Sequence, residues 1–531
     1  MNIYKEILKQ NLPRLLCLYN LDPCSSAYGC GDRLHWGWKI SDFSNGTMQG
    51  GVHALSIGHK LGLIENEVYI LNAIDAVIMA IGNIRGRNGS LVEAYPGENS
   101  LCVTAQVAFD VLSAINHLQN HLRDDQKLAY LDIVRPLITF ITRHSEDHAI
   151  ISNHLATAAA AILLWNTLTG ETSDRFFEFL NLIYKSQSEE GWYQEYEGAD
   201  PGYQTLCTYY LLSIFEITQD EKLLESLHKS AAFLKYFVHP DGTIGGVYGS
   251  RNTEVYYPGG IVGLAPFVND FAIIARGLQE GIVNQNHILP HSIDIGNFIP
   301  LLNAYAVAAV YYDHCREVIQ NAQEPPAYKD QFVINFKDCG LYLHSTSKYY
   351  AIVNYKKGGT LKVFDKKLEQ IDIEDGGVFG RLENGTNFST QQFDPQIQFD
   401  DLTIEANFYA LNEKYPSPFK SIILRIFSLT IFRFVAIGNI FKKYIVKLLI
   451  TGKKKIGGQT LRQFEFKDDT IIIHEKISSS IPMVHIGHLG KCKAIHMASS
   501  GYYLRQIEQV PELSKIVEFR SQFPKPFKRL H

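Results

Sequence analysis

At 531 residues the chain exceeds what one hydrophobic core usually serves, so two domains, or three at most, are expected. Its formal net charge of −5 excludes a general nucleic-acid binder, which needs an excess of Lys and Arg on one face, and confines any anion site to a local cluster. The eight cysteines (Cys17, Cys24, Cys30, Cys102, Cys207, Cys315, Cys339 and Cys492) have neither metal-ligand spacing nor the density of a disulfide framework, which points to reduced thiols and a cytoplasmic setting.

In chain order, residues 1–50 form an N-terminal segment expected to pack on the domain that follows. Met1–Asn11 mixes Lys5, Glu6 and Lys9 with isolated apolar residues and lacks the apolar core and cleavage site of a secretory signal. Asp32–Lys39 sets two Trp among charges. Trp36, Trp38 and Lys39 are therefore candidates to stack on and pair with a sugar, the alternative being that both Trp plug the core. From 51 to 325 apolar residues recur at helical spacing, in Val103–Leu118, Leu128–Thr142, Leu155–Leu168, Asp174–Ser186, Leu206–Thr218, Leu223–Phe237 and Leu301–Ile319. Antiparallel helix pairs with Gly-, Tyr- and His-rich loops gathered at one end predict an α/α toroid. The prolines of Glu324-Pro325-Pro326 end it.

From 326 to 531 the period becomes that of strands: Gln331–Phe336, Gly340–His344, Tyr349–Tyr355, Thr360–Phe364, Ile397–Asn407, Leu461–Phe466 and Thr470–Ile477, which read as an antiparallel β-sandwich. The stretch Tyr415–Lys455 interrupts this pattern with nine Lys or Arg and no Asp or Glu. Phe419, Ile422, Ile423, Ile426, Phe427 and Phe434 recur there at helical spacing, so a basic amphipathic helical insertion is expected at about 415–455. Arg433 and the Lys442-Lys443 pair rule out a membrane span. Peripheral contact with the inner, anionic face of a membrane, a polyanion track, and packing on the sandwich with a solvated basic face all fit.

Chemistry concentrates in loops at predicted helix ends. These are Ser152-Asn153-His154; Glu190–Tyr203, with Trp192, Glu195 and Asp200; and His239–Tyr257, with Tyr248, Arg251, Asn252 and Tyr256. Glu98 lies in a fourth loop, before a helix. Arg251 can hold a carboxylate by two parallel hydrogen bonds or pair with Glu254, and Tyr248, Asn252 and Tyr256 could share a sugar site with it. His239, in a His-Pro-Asp-Gly turn, is a lesser binding candidate. Read alone, Asn153 is a helix cap and His154 a partly buried histidine. Eliminative cleavage beside a uronic acid needs a neutralised carboxylate, a base for the C5 proton and an acid for the leaving O4, and Asn, His, Arg and Tyr can supply these without a metal.

With Asn153-His154 starting a helix, Tyr203 some fifty residues later in a Gly-rich loop and Glu195 upstream, the sequence resembles the heparinase II/III and oligoalginate lyase families. The resemblance implies a toroid followed by an antiparallel β-sandwich, with an acidic polysaccharide or oligosaccharide as substrate. It implies that Asn153 neutralises the substrate carboxylate, that His154 does the same or acts as base, and that Tyr203 is the proton donor or a shared acid/base. No cofactor is expected, since no P-loop, dinucleotide fingerprint or zinc-ligand spacing is present. A uronate C5-epimerase would start from the same proton abstraction. A glycoside hydrolase would need two carboxylates across a cleft, for which Glu98, Glu195 and Asp200 are available. A non-catalytic glycan-binding or assembly factor at a membrane surface would use the basic stretch alone.

Overall fold

The computed structural model describes residues 1–146, 149–411, 417–432, 434–446 and 453–488, together with the backbone of 517–522 and 528–529. Cys492, Arg433 and Lys447 lie outside the described residues.

The first part is a closed double ring of helices. The inner ring consists of α3 (Val52–Lys60), α5 (Leu101–His117), α7 (Ser152–Thr169), α9 (Pro201–Thr218), α11 (Pro258–Leu264) and α13 (Ile295–Asn321). Each packs on the next, and α13 closes back on α3. The outer layer is α1 (Ile3–Leu16), α4 (Glu67–Ile84), α6 (Asp124–Arg143), α8 (Arg175–Ser186), α10 (Glu221–Leu234) and α12 (Asn269–Val283). The N-terminal segment thus does more than pack on the ring: α1 lies on α13 and α3 as one of its outer helices, and the four-residue α2 (Arg33–Trp36) follows it.

Sequence decides which layer a helix joins. In α8 the buried residues are Phe176, Phe179, Leu180 and Ile183, a single stripe at three- and four-residue spacing, so one face meets the ring and the other meets water. Full burial of each such side chain stabilises by about 1.5–3 kcal/mol. In α7 burial runs all round, and Ala156 and Ala158–Ala161 let the neighbouring inner helices approach closely.

After α14 (Pro326–Lys329) the chain enters a five-stranded antiparallel sheet in the order β3 (Phe332–Phe336), β4 (Leu341–Ser345), β5 (Tyr349–Asn354), β6 (Thr360–Asp365), β7 (Gln370–Asp375). β5 is buried along its whole length, as its unbroken apolar run requires. On one face Tyr350, Ile352 and Phe364 join the core of the helices, and on the other Ala351, Val353 and Val363 share a core with Ile404, Phe464 and Ile473 of a second sheet. That sheet has eight strands, of which β8 (Val378–Leu382), β9 (Asn387–Ser389), β10 (Thr403–Ala410), β11 (Lys455–Phe466), β12 (Ile471–Ser479) and β13 (Met483–His488) pair antiparallel where they adjoin. The edge strands β14 (Val517–Gln522) and β15 (Lys528–Arg529) pair parallel, so the sheet is mixed and not purely antiparallel as expected. The strand expected over Ile397–Asn407 begins only at Thr403, because Asp401 and Leu402 turn the chain with φ of 47° and 56°. Between β10 and β11 stand two helices, α15 (Pro418–Thr430) and α16 (Val435–Val446).

Candidate active site at the N-terminal mouth of the ring

The inner helices begin at one mouth of the ring, where the long loops gather. Helix α7 starts there without a side chain of its own as cap: its N-cap residue is Ile151, not Asn153. The carboxylate of Glu195 serves instead, from strand β1 (Gln194–Glu195), which pairs with β2 (Gly198–Ala199). The Asn153 backbone N–H donates to Glu195 Oε1 at 3.1 Å and its Nδ2 to Oε2 at 2.9 Å, so Glu195 both caps the helix and orients the amide. Burial pushes the Glu195 carboxyl up to about 7, against the pull of the Asn153 hydrogen bonds and of His154. With 1 % exposure Glu195 positions Asn153; it is not a sugar-binding surface.

His154 is half-buried, with Nδ1 2.6 Å from Glu146 Oε2. Burial favours the neutral ring, but the Cys102 sulfur at the start of α5 and the Glu146 carboxylate outweigh it and hold His154 well above the usual histidine range. Both partners favour the protonated ring, which suits charge neutralisation better than proton abstraction for this residue.

Asp200 organises the rest. As N-cap of α9, ahead of Pro201, it accepts the Tyr203 N–H on Oδ1 at 3.0 Å. Its Oδ2 accepts the N–H of Arg251 at 2.8 Å and of Thr253 at 3.4 Å. One buried carboxylate thus fixes both the helix start that carries Tyr203 and the loop that carries Arg251. The approach is so close that a Cβ at Gly249 would lie 2.7 Å from Asp200 Oδ2. Ser250 ties the same loop to Glu195, donating from Oγ to its backbone oxygen at 3.0 Å.

The Arg251 guanidinium lies over the Tyr196 ring, 4.0 Å from its centroid, and its Nε and Nη1 have no hydrogen-bond partner among the described residues. Glu254, the partner offered by the sequence, faces Lys362 at 3.5 Å instead. Both nitrogens are buried, so the arginine keeps two unspent donors beneath the surface of the loop at the mouth where Asn153, His154 and Tyr203 begin their helices.

The structure moves most of the expected sugar-binding residues away from this mouth's surface. His239 and Tyr248 are fully buried and bonded to each other, Nε2 to OH at 2.7 Å, with His239 also against Thr243 and stacked on Phe364. Tyr256 is enclosed in the ring core beside His287. Asn252 is buried and accepts from the ammonium of Lys357. Trp192 is buried and donates to Glu190, whose other oxygen accepts the Asp338 N–H at the junction with the sheets. Glu98 accepts the N–H groups of Glu93 and Ala94 and braces its own turn. Trp36 is half-buried and donates to the Leu18 carbonyl, so only Trp38 and Lys39 of this set are exposed.

At the opposite mouth, His59, Glu67 and His121 bring their ligand atoms within 4.8 Å of one another, a set that could hold a metal ion. Their spacing along the chain is not that of a zinc motif, because these residues come from three separate segments. A cavity of roughly 300 Å³ opens at the same end, lined by His53, Lys60, His117, Tyr209 and Glu216 among others.

No family model matches the chain, and no curated protein matches it. Solved structures similar in course include a Paenibacillus xanthan lyase, at 9% identity and TM-score 0.49 over 77% of this chain and 44% of that one. A Streptomyces coelicolor A3 chondroitin AC lyase variant follows at 10% identity and TM-score 0.44, over 77% and 64%. A cellobiose 2-epimerase of Bacillus thermoamylovorans matches at 13% identity and TM-score 0.44, over 59% and 100%. The chain thus matches less than two thirds of the length of either lyase.

Proposed function

We propose that the chain is a polysaccharide lyase that cleaves a uronic-acid-containing acidic polysaccharide by β-elimination at the N-terminal mouth of the ring. The observation that carries this reading is the unspent Arg251 guanidinium, placed by the same Asp200 that places the start of the Tyr203 helix. Arg251 and the protonated His154 neutralise the substrate carboxylate, with Asn153 oriented by Glu195 to complete its recognition. The C5 proton, made acidic by that neutralisation, passes to the Tyr203 phenolate oxygen. The C4–O4 bond breaks as the C4=C5 double bond forms, and Tyr203 returns the proton to O4. A hydrolase is less well served: Glu98, Glu195 and Asp200 are all buried and engaged in backbone hydrogen bonds.

The test is ultraviolet absorbance of a 4,5-unsaturated uronate on a panel of acidic polysaccharides. Absorbance should rise with the wild type and fall on the order of a thousandfold in rate with Tyr203→Phe. New reducing ends without absorbance would indicate a hydrolase and sink the proposal. Solvent deuterium uptake at C5 without cleavage would make the chain an epimerase.

A further inference from the structure

We infer that α15 and α16 form a pair of interfacial helices that docks the N-terminal mouth of the ring on an anionic lipid bilayer. Helices on soluble surfaces turn their apolar stripe inward, as α8 does. Here the stripe faces out: Phe419 is 70% exposed, Phe434 65% and Ile440 68%, and Ile422, Ile426 and Tyr444 are also exposed. Exposed apolar surface on this scale marks a binding face.

The two helices are anchored through the turn that joins them. Phe432, 2% exposed, packs on Tyr95 and Phe441, and its carbonyl accepts from Asn99 Nδ2 at 3.3 Å. Arg425 pairs with Asp42. Asp42 belongs to the loop that exposes Trp38 (71%) and Ile40 (76%), so a Trp stands on the loop that α15 grips, as is common at a bilayer interface. The loops the pair grips precede α3 and α5, on the same mouth as Asn153 and His154.

The occupant follows from charge and length. Residues 415–455 carry nine Lys or Arg and no Asp or Glu in a chain of net charge −5, which matches an anionic surface. Helices of 13 and 12 residues are too short to span the roughly 30 Å hydrocarbon core, so they lie in the interface, their apolar face sunk about 5–10 Å. Docking in this way turns the candidate site toward the membrane surface, where it would meet a glycan held there. The docking rests on this surface and not on the chemistry proposed above.

The experiment is flotation of the full chain with phosphatidylcholine vesicles and with vesicles containing about one third phosphatidylglycerol. The chain should float with the anionic vesicles, and the triple variant Phe419→Ser, Ile422→Ser, Ile426→Ser should lose partition about tenfold or more while keeping its circular dichroism and melting temperature. Phe419→Trp should be quenched by brominated lipid tails. No flotation with either vesicle overturns the inference, as does equal flotation of the triple variant. A dimer that the triple variant breaks, without vesicle binding, assigns the face to a second copy and also overturns it.

Discussion

At the scale of single residues, Glu195 controls the candidate site without facing substrate. Its two oxygens accept both donors of Asn153, and only the ionised carboxylate can do so on both. Because burial holds this carboxyl at about 7, its ionised fraction changes near neutrality and rises with pH. We therefore expect kcat/KM to climb with pH through about 7 in the wild type. Glu195→Gln presents an amide donor to one of the Asn153 donors, and should lower kcat about 10- to 100-fold and erase this acidic limb. A pH–rate profile of both proteins checks this, and an unchanged limb in the Gln variant would mean that another group titrates. Asn153, His154, Tyr203 and Arg251 could be picked out from the sequence because each stands in a polar loop before a helix. Their supports were not legible. Glu146 sits in an acidic run with no periodicity, and the double duty of Asp200 depends on a loop some fifty residues away. His239, Tyr248 and Tyr256 look like binding residues in sequence, yet the helix-to-sheet junction and the ring core enclose them.

At the scale of elements, periodicity revealed the seven expected helices to within a few residues, since each has a sustained apolar stripe. It passed over α1, α3, α4, α11 and α12: in α1 Pro13 and alternating charges obscure the stripe, α11 has only seven residues, and α12 is diluted by Gly277 and Gly281. Nor could it tell which way the stripe of α15 faces. The sheets hide a buried ionic cluster that no pattern announces. Arg462 on β11 reaches Asp375 Oδ2 at 2.5 Å, with its Nε 3.0 Å from Glu475 Oε1, and His488 lies 3.3 Å from Asp375 and 3.0 Å from Glu475. Burial opposes the charge on His488, but the two carboxylates overcome it and raise the ring from 6.5 to about 9. A raised histidine contributes stability that is complete below 6.5 and is lost as pH climbs through 9, here about 3 kcal/mol. Asp375 and Glu475 are held below their ordinary values of 3.8 and 4.5, overcoming burial through Arg462 and His488, so their share is present above those values and is lost on acidification. The urea midpoint should thus fall between pH 6.5 and 10 in the wild type and fall distinctly less in His488→Gln, where only the share of the other raised histidine, His154, remains. A parallel fall in both would exclude His488 as its source.

At the scale of the whole molecule, ring and sheets share one core, and the sheet side reaches into the loops that build the mouth. Among the described residues Lys357, from the turn between β5 and β6, is fully buried yet points into the Arg251 loop. Its ammonium donates to the carbonyls of Val247 at 3.0 Å and Gly249 at 2.5 Å and to the side chain of Asn252. Asn354 adds a 2.7 Å bond to the Tyr248 carbonyl, and the positive charge of Lys357 also steadies the Asp200 carboxylate. A buried charge with three acceptors around it holds a loop in one geometry, because any displacement leaves the ammonium or the carbonyls unsatisfied. The sheets therefore set the shape of the loop that presents the guanidinium, and removing Lys357 should be felt in substrate capture before chemistry. Lys357→Met keeps most of the volume and abolishes the donors. It should lower stability by on the order of 3–5 kcal/mol and raise KM about tenfold, with kcat changed far less, because the Tyr203 helix keeps its own Asp200 cap. The measurement is steady-state kinetics on the best substrate of the absorbance panel, run well below the melting temperature of the variant. A lowered melting temperature with KM unchanged would show that the sheets support the ring without shaping its mouth; a fall confined to kcat would place Lys357 on the proton-transfer side of the site.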